Sequence, residues 1–139
     1  MLFVRKIASR VLEPAIRKLL RGPLDTFEKL EVAVALVRAP GRALSRPELA
    51  SATALTADQI QRGIDDLQAA TLVNTTGGLV QLAVRAADDA AFAALADLHA
   101  RDAPAIAVVM SELALDKIRG MAAHAFAEAF QTRRKKDDS

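Results

Sequence analysis

Residues 45–67 read SRPELASATALTADQIQRGIDDL. Ser45 stands three residues before Glu48, and Thr56 three before Gln59. At that spacing a hydroxyl accepts from the third backbone N–H of a new helix, while the longer side chain returns to the cap's own N–H. Each pair therefore marks a helix start. Pro47 suits a first turn. The spacing predicts one short helix from Ser45 to about Thr53 and another from Thr56 to about Ala70. Ile60, Ile64 and Leu67 form the apolar stripe of the second, and Leu55 sits at the turn between them.

Upstream, Asp25 to Arg38 places Phe27, Leu30, Val34 and Val37 on one helical face. Asp25 with Glu28 is a third cap pair, and Pro40-Gly41 ends the run. Residues 2–20 hold Phe3, Val4, Ile7, Val11, Leu12, Ile16, Leu19 and Leu20 at helical spacing with basic residues between. Pro14 either bends this helix or separates two, with the second starting near Glu13. Downstream, two β-prone runs, Leu72–Thr76 and Leu79–Leu82, flank Gly77-Gly78 and predict a hairpin. A helix follows from Asp88 or Asp89 to His99. Asp102 and Pro104 then open a last helix, carrying Ile106, Met110, Leu113, Ile118, Met121, Phe126 and Phe130 to about Thr132. Its roughly 28 residues would span about 42 Å.

Helix, two capped helices and hairpin, in that order, resemble the winged helix-turn-helix repressor superfamily, including the bacterial MarR-like regulators. The matching residues are Leu49-Ala50, Leu55, Ile60, Ile64 and Leu67, with Leu72-Val73 opening the wing. Leu49 and Leu55 are expected to fill the interhelical angle, and Ala50 to allow a close crossing. The likeness covers roughly residues 27–83. It implies a mainly α fold with a small β-hairpin wing: a winged helix-turn-helix core (25–84), a basic amphipathic N-terminal helical arm (1–22), C-terminal helices (87–132) and a charged flexible tail (133–139).

In this superfamily the last helix of the motif enters the major groove and the wing touches the flanking backbone. The resemblance thus implies double-stranded DNA as partner. Arg62 can read guanine, and Gln59 or Gln61 adenine. Thr56 can meet a phosphate at a helix N-terminus. Arg38, Arg42 and Arg46 are candidate phosphate anchors, with Thr75 and Thr76 on the wing. Against this stand Asp58 and Asp65 on the same helix as Arg62. Asp58 and Arg62 lie four apart, where an ion pair is an equal reading. The wing carries no Lys or Arg, and Gly63 stands where a larger residue is usual.

The chain has 139 residues, no cysteine and a formal net charge of +2. Without cysteine, disulfides, thiolate catalysis and cysteine-ligated metal are excluded. Alanine makes up about a fifth of the chain, which favours helix. Residues 1–21 carry +5 and 133–139 carry +2, whereas 22–84 carry −2 and 85–132 carry −3. A core of that sign is weak for phosphate neutralisation unless its arginines cluster. No eighteen-residue apolar run occurs, Arg5 and Lys6 interrupt any leader-like stretch, and a cytoplasmic protein is expected. The N-terminal helix reads as dimer arm, core helix or, least, membrane-surface helix.

No catalytic, cofactor or metal site is expected. His99 has Asp97 and Asp102 nearby, and His124 has Glu128, but solvated helix residues are the plainer reading. Gly77-Gly78 lacks the helix and lysine of a phosphate loop. The expectation is therefore a DNA-binding regulator, homodimeric through Ile106, Met110, Leu113, Ile118, Met121, Phe126 and Phe130; the alternative for this helix is packing on its own winged domain, and the stripe is broad enough for both. The alternative is a non-catalytic winged-helix adaptor that binds protein and not DNA. What separates them is whether Arg38, Arg42, Arg46 and Arg62 form one unneutralised patch.

Overall fold

The computed structural model of the chain describes residues 14–137, with side chains described through residue 131. Helix α1 occupies 14–21 and buries Ile16, Leu19 and Leu20. The upstream part of the expected N-terminal arm lies outside the described residues. Gly22 N–H donates to the Lys18 carbonyl at 3.1 Å and Leu24 N–H to that of Leu19 at 2.9 Å, which closes α1. Helix α2 runs Phe27–Arg38. Its cap is Thr26, whose hydroxyl accepts from Lys29 N–H at 3.3 Å, and not Asp25. Both residue types cap helices, but the Asp25 carboxylate is engaged by lysines instead.

Helix α2 is the centre of the molecule. Leu30, Val32, Ala33, Val34 and Leu36 are all buried, a wider face than the one-sided stripe expected, because α4 and α5 pack on it from two directions. Phe27, placed on the inner face by its spacing, is 54% exposed in the first turn. A 3₁₀ turn at Pro40–Arg42 then leads into strand β1, Ala43–Ser45. Helices α3, Arg46–Ala52, and α4, Ala57–Ala69, start as the sequence predicts. Both capping boxes are formed, Ser45 with Glu48 and Thr56 with Gln59. Leu49, Leu55, Ile60, Ile64 and Leu67 are buried.

Ala50 is exposed, so it is not what lets the helices approach. That role falls to Gly63. A Cβ built there would lie 3.1 Å from the Glu28 carbonyl oxygen and 3.2 Å from Val32 Cγ2. Gly63 is small because α2 runs directly over it.

Strands β2, Val73–Thr76, and β3, Leu79–Leu82, form the expected hairpin. Gly77 (φ 59°) and Gly78 (φ 81°) take the paired positive φ of a tight turn between right-twisted strands. β1 adds a third antiparallel strand on the other side of β3, with Leu44 opposite Val80, giving the order β1-β3-β2. Three residues are too short to show a two-residue period, so β1 is set by its partner. Helix α5 runs Ala86–Asp137 through one non-helical residue, Asp102 (φ −155°, ψ 67°). Asp102 Oδ1 accepts from Ala105 N–H at 3.3 Å, an internal cap ahead of Pro104. The two expected C-terminal helices are thus nearly continuous. The helix runs past the expected end near Thr132 to Asp137, with no Gly or Pro in that stretch to stop it.

Candidate macromolecular interfaces

The four core arginines do not form one patch. Arg38, at the end of α2, donates through Nη2 to the Ala96 carbonyl at 2.8 Å and lies 3.2 Å from His99 Nδ1. His99 Nε2 in turn lies 3.0 Å from Glu31 Oε1. This chain of contacts fastens α2 to α5 and uses Arg38 within the fold. Arg42 forms an ion pair with Asp89 at the start of α5. Neither interaction is visible in sequence, because the partners lie 47 to 61 residues downstream.

Arg46 and Arg62 are different. Arg46 Nε donates to Gln61 Oε1 at 2.8 Å, and Gln61 Nε2 donates to Asp65 Oδ1 at 2.9 Å. Both ends of the Gln61 amide are therefore occupied. Arg62 is exposed, with no hydrogen bond or ion pair among the described residues, and Asp58 does not pair with it. Thr56 and Gln59 are brought to the start of α4, but mainly as its cap. Thr56 Oγ1 accepts from Gln59 N–H at 3.2 Å, and Gln59 Oε1 accepts from Thr56 N–H at 2.9 Å. Thr75 and Thr76 are exposed on β2 beside the turn.

The outer surface of α4 carries Asp58, Arg62, Asp65 and Asp66, all exposed, a net of −2. The hairpin adds no charge from Leu72 to Val84. Two cations without carboxylate partners, Arg46 and Arg62, thus sit in a surface of opposite sign. A polyanion approaching this face meets repulsion as well as attraction.

The other exposed feature is the far half of α5. The expected dimer seam divides in two. Ile106 and Leu113 are buried in the molecule's own core and Met110 is half-buried, so these three are core residues and not an outward seam. Ile118, Met121, Phe126 and Phe130 are 60–73% exposed. Every residue from 114 to 131 is exposed, and Leu115 joins the apolar group. Apolar residues run on through both halves, so composition alone does not show where the core stops.

The base of this projection is held by charges. Asp25 receives Lys29 Nζ at 2.7 Å and Lys117 Nζ at 3.3 Å, and Arg17 lies 3.7 Å from Glu112. Burial pushes the Asp25 carboxyl upward, but its bonds and charge attraction to Lys29 and Lys117 outweigh that and hold it below the ordinary range. An open cleft of about 340 Å³ beside it is lined by Leu20, Arg21, Met110, Leu113 and Lys117.

His124 and Glu128 form an exposed ion pair at 3.1 Å, and Asp97 pairs with Arg101 at 2.8 Å. Among the described residues no three His, Asp or Glu side chains gather as a metal site, and no helix is long and apolar enough to cross a membrane. The chain matches no family model, no curated protein sequence and no solved structure.

Proposed function

We propose that this protein is a non-catalytic interaction module of winged-helix type, working as a homodimer joined through the far half of α5. The element order α2-β1-α3-α4-β2-β3 supports the winged-helix reading. The observation that carries the function is the projecting helix: residues 114–131 are all exposed, yet five of them are large apolar side chains. Large apolar side chains left exposed in such number on one segment mark an association site. The winged head then serves as the presented surface, acidic on α4, with the cytoplasm as the expected compartment.

A second reading, the DNA-binding regulator, draws on Arg46 and Arg62, which no carboxylate neutralises. It weakens with Arg38 and Arg42 committed to α5 and with α4 net negative. Two measurements on purified protein separate the readings. Light scattering is expected to give twice the 14.8 kDa chain mass. Retention of random DNA fragments is expected to fail even at low salt, where phosphate contacts are strongest. A monomeric mass overturns the dimer. Enrichment of a two-fold repeated DNA site, lost with Arg62→Ala, overturns the adaptor in favour of the regulator.

A further inference from the structure

The two histidines are held differently. His124 pairs with Glu128 on its own helix, whereas His99 reaches across to α2 with both ring nitrogens. Its Nε2 lies 3.0 Å from Glu31 Oε1, and its Nδ1 lies 3.2 Å from Arg38 Nη2. A carboxylate only accepts and a guanidinium only donates. Nε2 must then carry the hydrogen and Nδ1 the lone pair. Both contacts are hydrogen bonds in one form of the ring alone, the neutral one with its proton on Nε2. The His99 and Glu31 side chains are 17% and 16% exposed, while Arg38 stands exposed at the end of α2.

We propose that Glu31, His99 and Arg38 form a proton-controlled catch between α2 and α5, which holds Arg38 while His99 is neutral and releases it when His99 takes a proton. The added proton goes to Nδ1, the ring nitrogen with the lone pair. An N–H then points at the guanidinium, and two cationic donors face each other where a hydrogen bond stood. On the other side the contact strengthens, because Glu31 now bonds to a cation. Glu31 keeps the ring in place, so Arg38 is the group that moves, outward into water. The same Nη2 also donates to the Ala96 carbonyl at 2.8 Å, and that bond is given up with it. From α2, which packs on this part of α5, Glu31 and Arg38 are the ionisable groups on the ring among the described residues. On α5 itself the neighbouring charges are engaged elsewhere: Asp97 pairs with Arg101, and Asp102 caps Ala105. Acidification thus turns a bound arginine into a free cation on the head. This stands independently of the dimer and DNA readings above.

Nuclear magnetic resonance of the full-length, isotope-labelled protein tests the catch. Long-range nitrogen–proton spectra read which ring nitrogen carries hydrogen, and the exposed His124 serves as internal reference. The titration runs from about pH 8 to about pH 5, the span in which histidine ordinarily changes charge. At its alkaline end His99 is expected as the Nε2–H form alone. The Arg38 Nε–Cζ signal is expected to move in step with the His99 ring as pH falls. It should stay fixed in His99→Gln, whose amide does not titrate in that span, and still move in His124→Gln. Hydrogen on Nδ1, or an even mixture of the two neutral forms, overturns the catch in the unaltered protein, however well the variants fold. An Arg38 signal that ignores the His99 titration, or that moves equally in His99→Gln, overturns it too.

Discussion

Gly63 gives the sharpest test of how the head is packed. It lies inside α4, where replacing glycine by alanine ordinarily gains about 1 kcal/mol of helix stability. Here the new Cβ would stand 3.1 Å from the Glu28 carbonyl oxygen and 3.2 Å from Val32 Cγ2. A side chain could turn aside, but a carbonyl within α2 moves only with its helix. Parting α2 and α4 by a few tenths of an ångström strains a contact between two buried helix faces. Overpacking of this kind costs about 2 kcal/mol. The net expectation for Gly63→Ala is a loss of about 1 kcal/mol, or roughly 4 °C in Tm for a domain this size. Gly63→Val, with two more methyl groups against the same carbonyl, should lose about 3 kcal/mol or more. The chain has no Trp or Tyr, so urea and thermal unfolding are followed by far-UV circular dichroism. Gly120→Ala is the control, since nothing lies within 4 Å of that glycine in α5. It should raise the helical signal without lowering the midpoint. A rise in Tm for Gly63→Ala, with unchanged denaturant slope, would refute the close approach of α2 and α4.

Other outcomes follow from the same structure. Phe92, 2% exposed on α5, should cost about 3–5 kcal/mol when cut to alanine, read as a shift in urea midpoint. Thr56→Ala removes the hydroxyl that caps α4 and should cost about 1 kcal/mol, with Thr56→Ser restoring most of it. Asp25 has a depressed carboxyl, so its stabilisation is full above its unfolded-state pKa and is lost as pH falls through the lower folded-state value. Acid melts of the unaltered protein should therefore converge on those of Asp25→Asn at the acid end and separate above pH of about 4. Separation that grows on acidification would contradict the lysine contacts. Phe126→Ala should leave the melting of the head unchanged while lowering the dimer fraction in light scattering, because that side chain is 73% exposed.

The local parts of this structure were legible in the sequence. The capping boxes at Ser45 and Thr56 depend on a fixed three-residue reach between side chain and backbone, and that reach is written in the chain itself. The Gly77-Gly78 turn was legible for a similar reason, since paired positive φ angles select glycine. Strand β1 was not, because Ala43–Ser45 is extended only through pairing with β3. The candidate site was the least legible. Arg38, Arg42 and Arg46 lie close along the chain and look alike, yet two of them are claimed by residues of α5 and one by α4. Sequence spacing does not carry that information. Gly63 stood out as the wrong size for its place, and only the position of α2 supplies the reason.

Residues 114–131 are a helix with almost nothing leaning on it. It needs no nucleus of its own, because the anchored turns through Leu113 already provide one, and it grows from them residue by residue. A helix held at one end loosens from the other. Amide hydrogen exchange in dilute protein should therefore rise steadily from Leu115 toward Gln131, with the buried turns at Ile106 and Leu113 staying slow. Raising the protein concentration should flatten that gradient as copies associate, since whatever binds the ordered form stabilises it by mass action. The order of this arm is then a measure of how many neighbours the molecule has, while the folding of the head is indifferent to them.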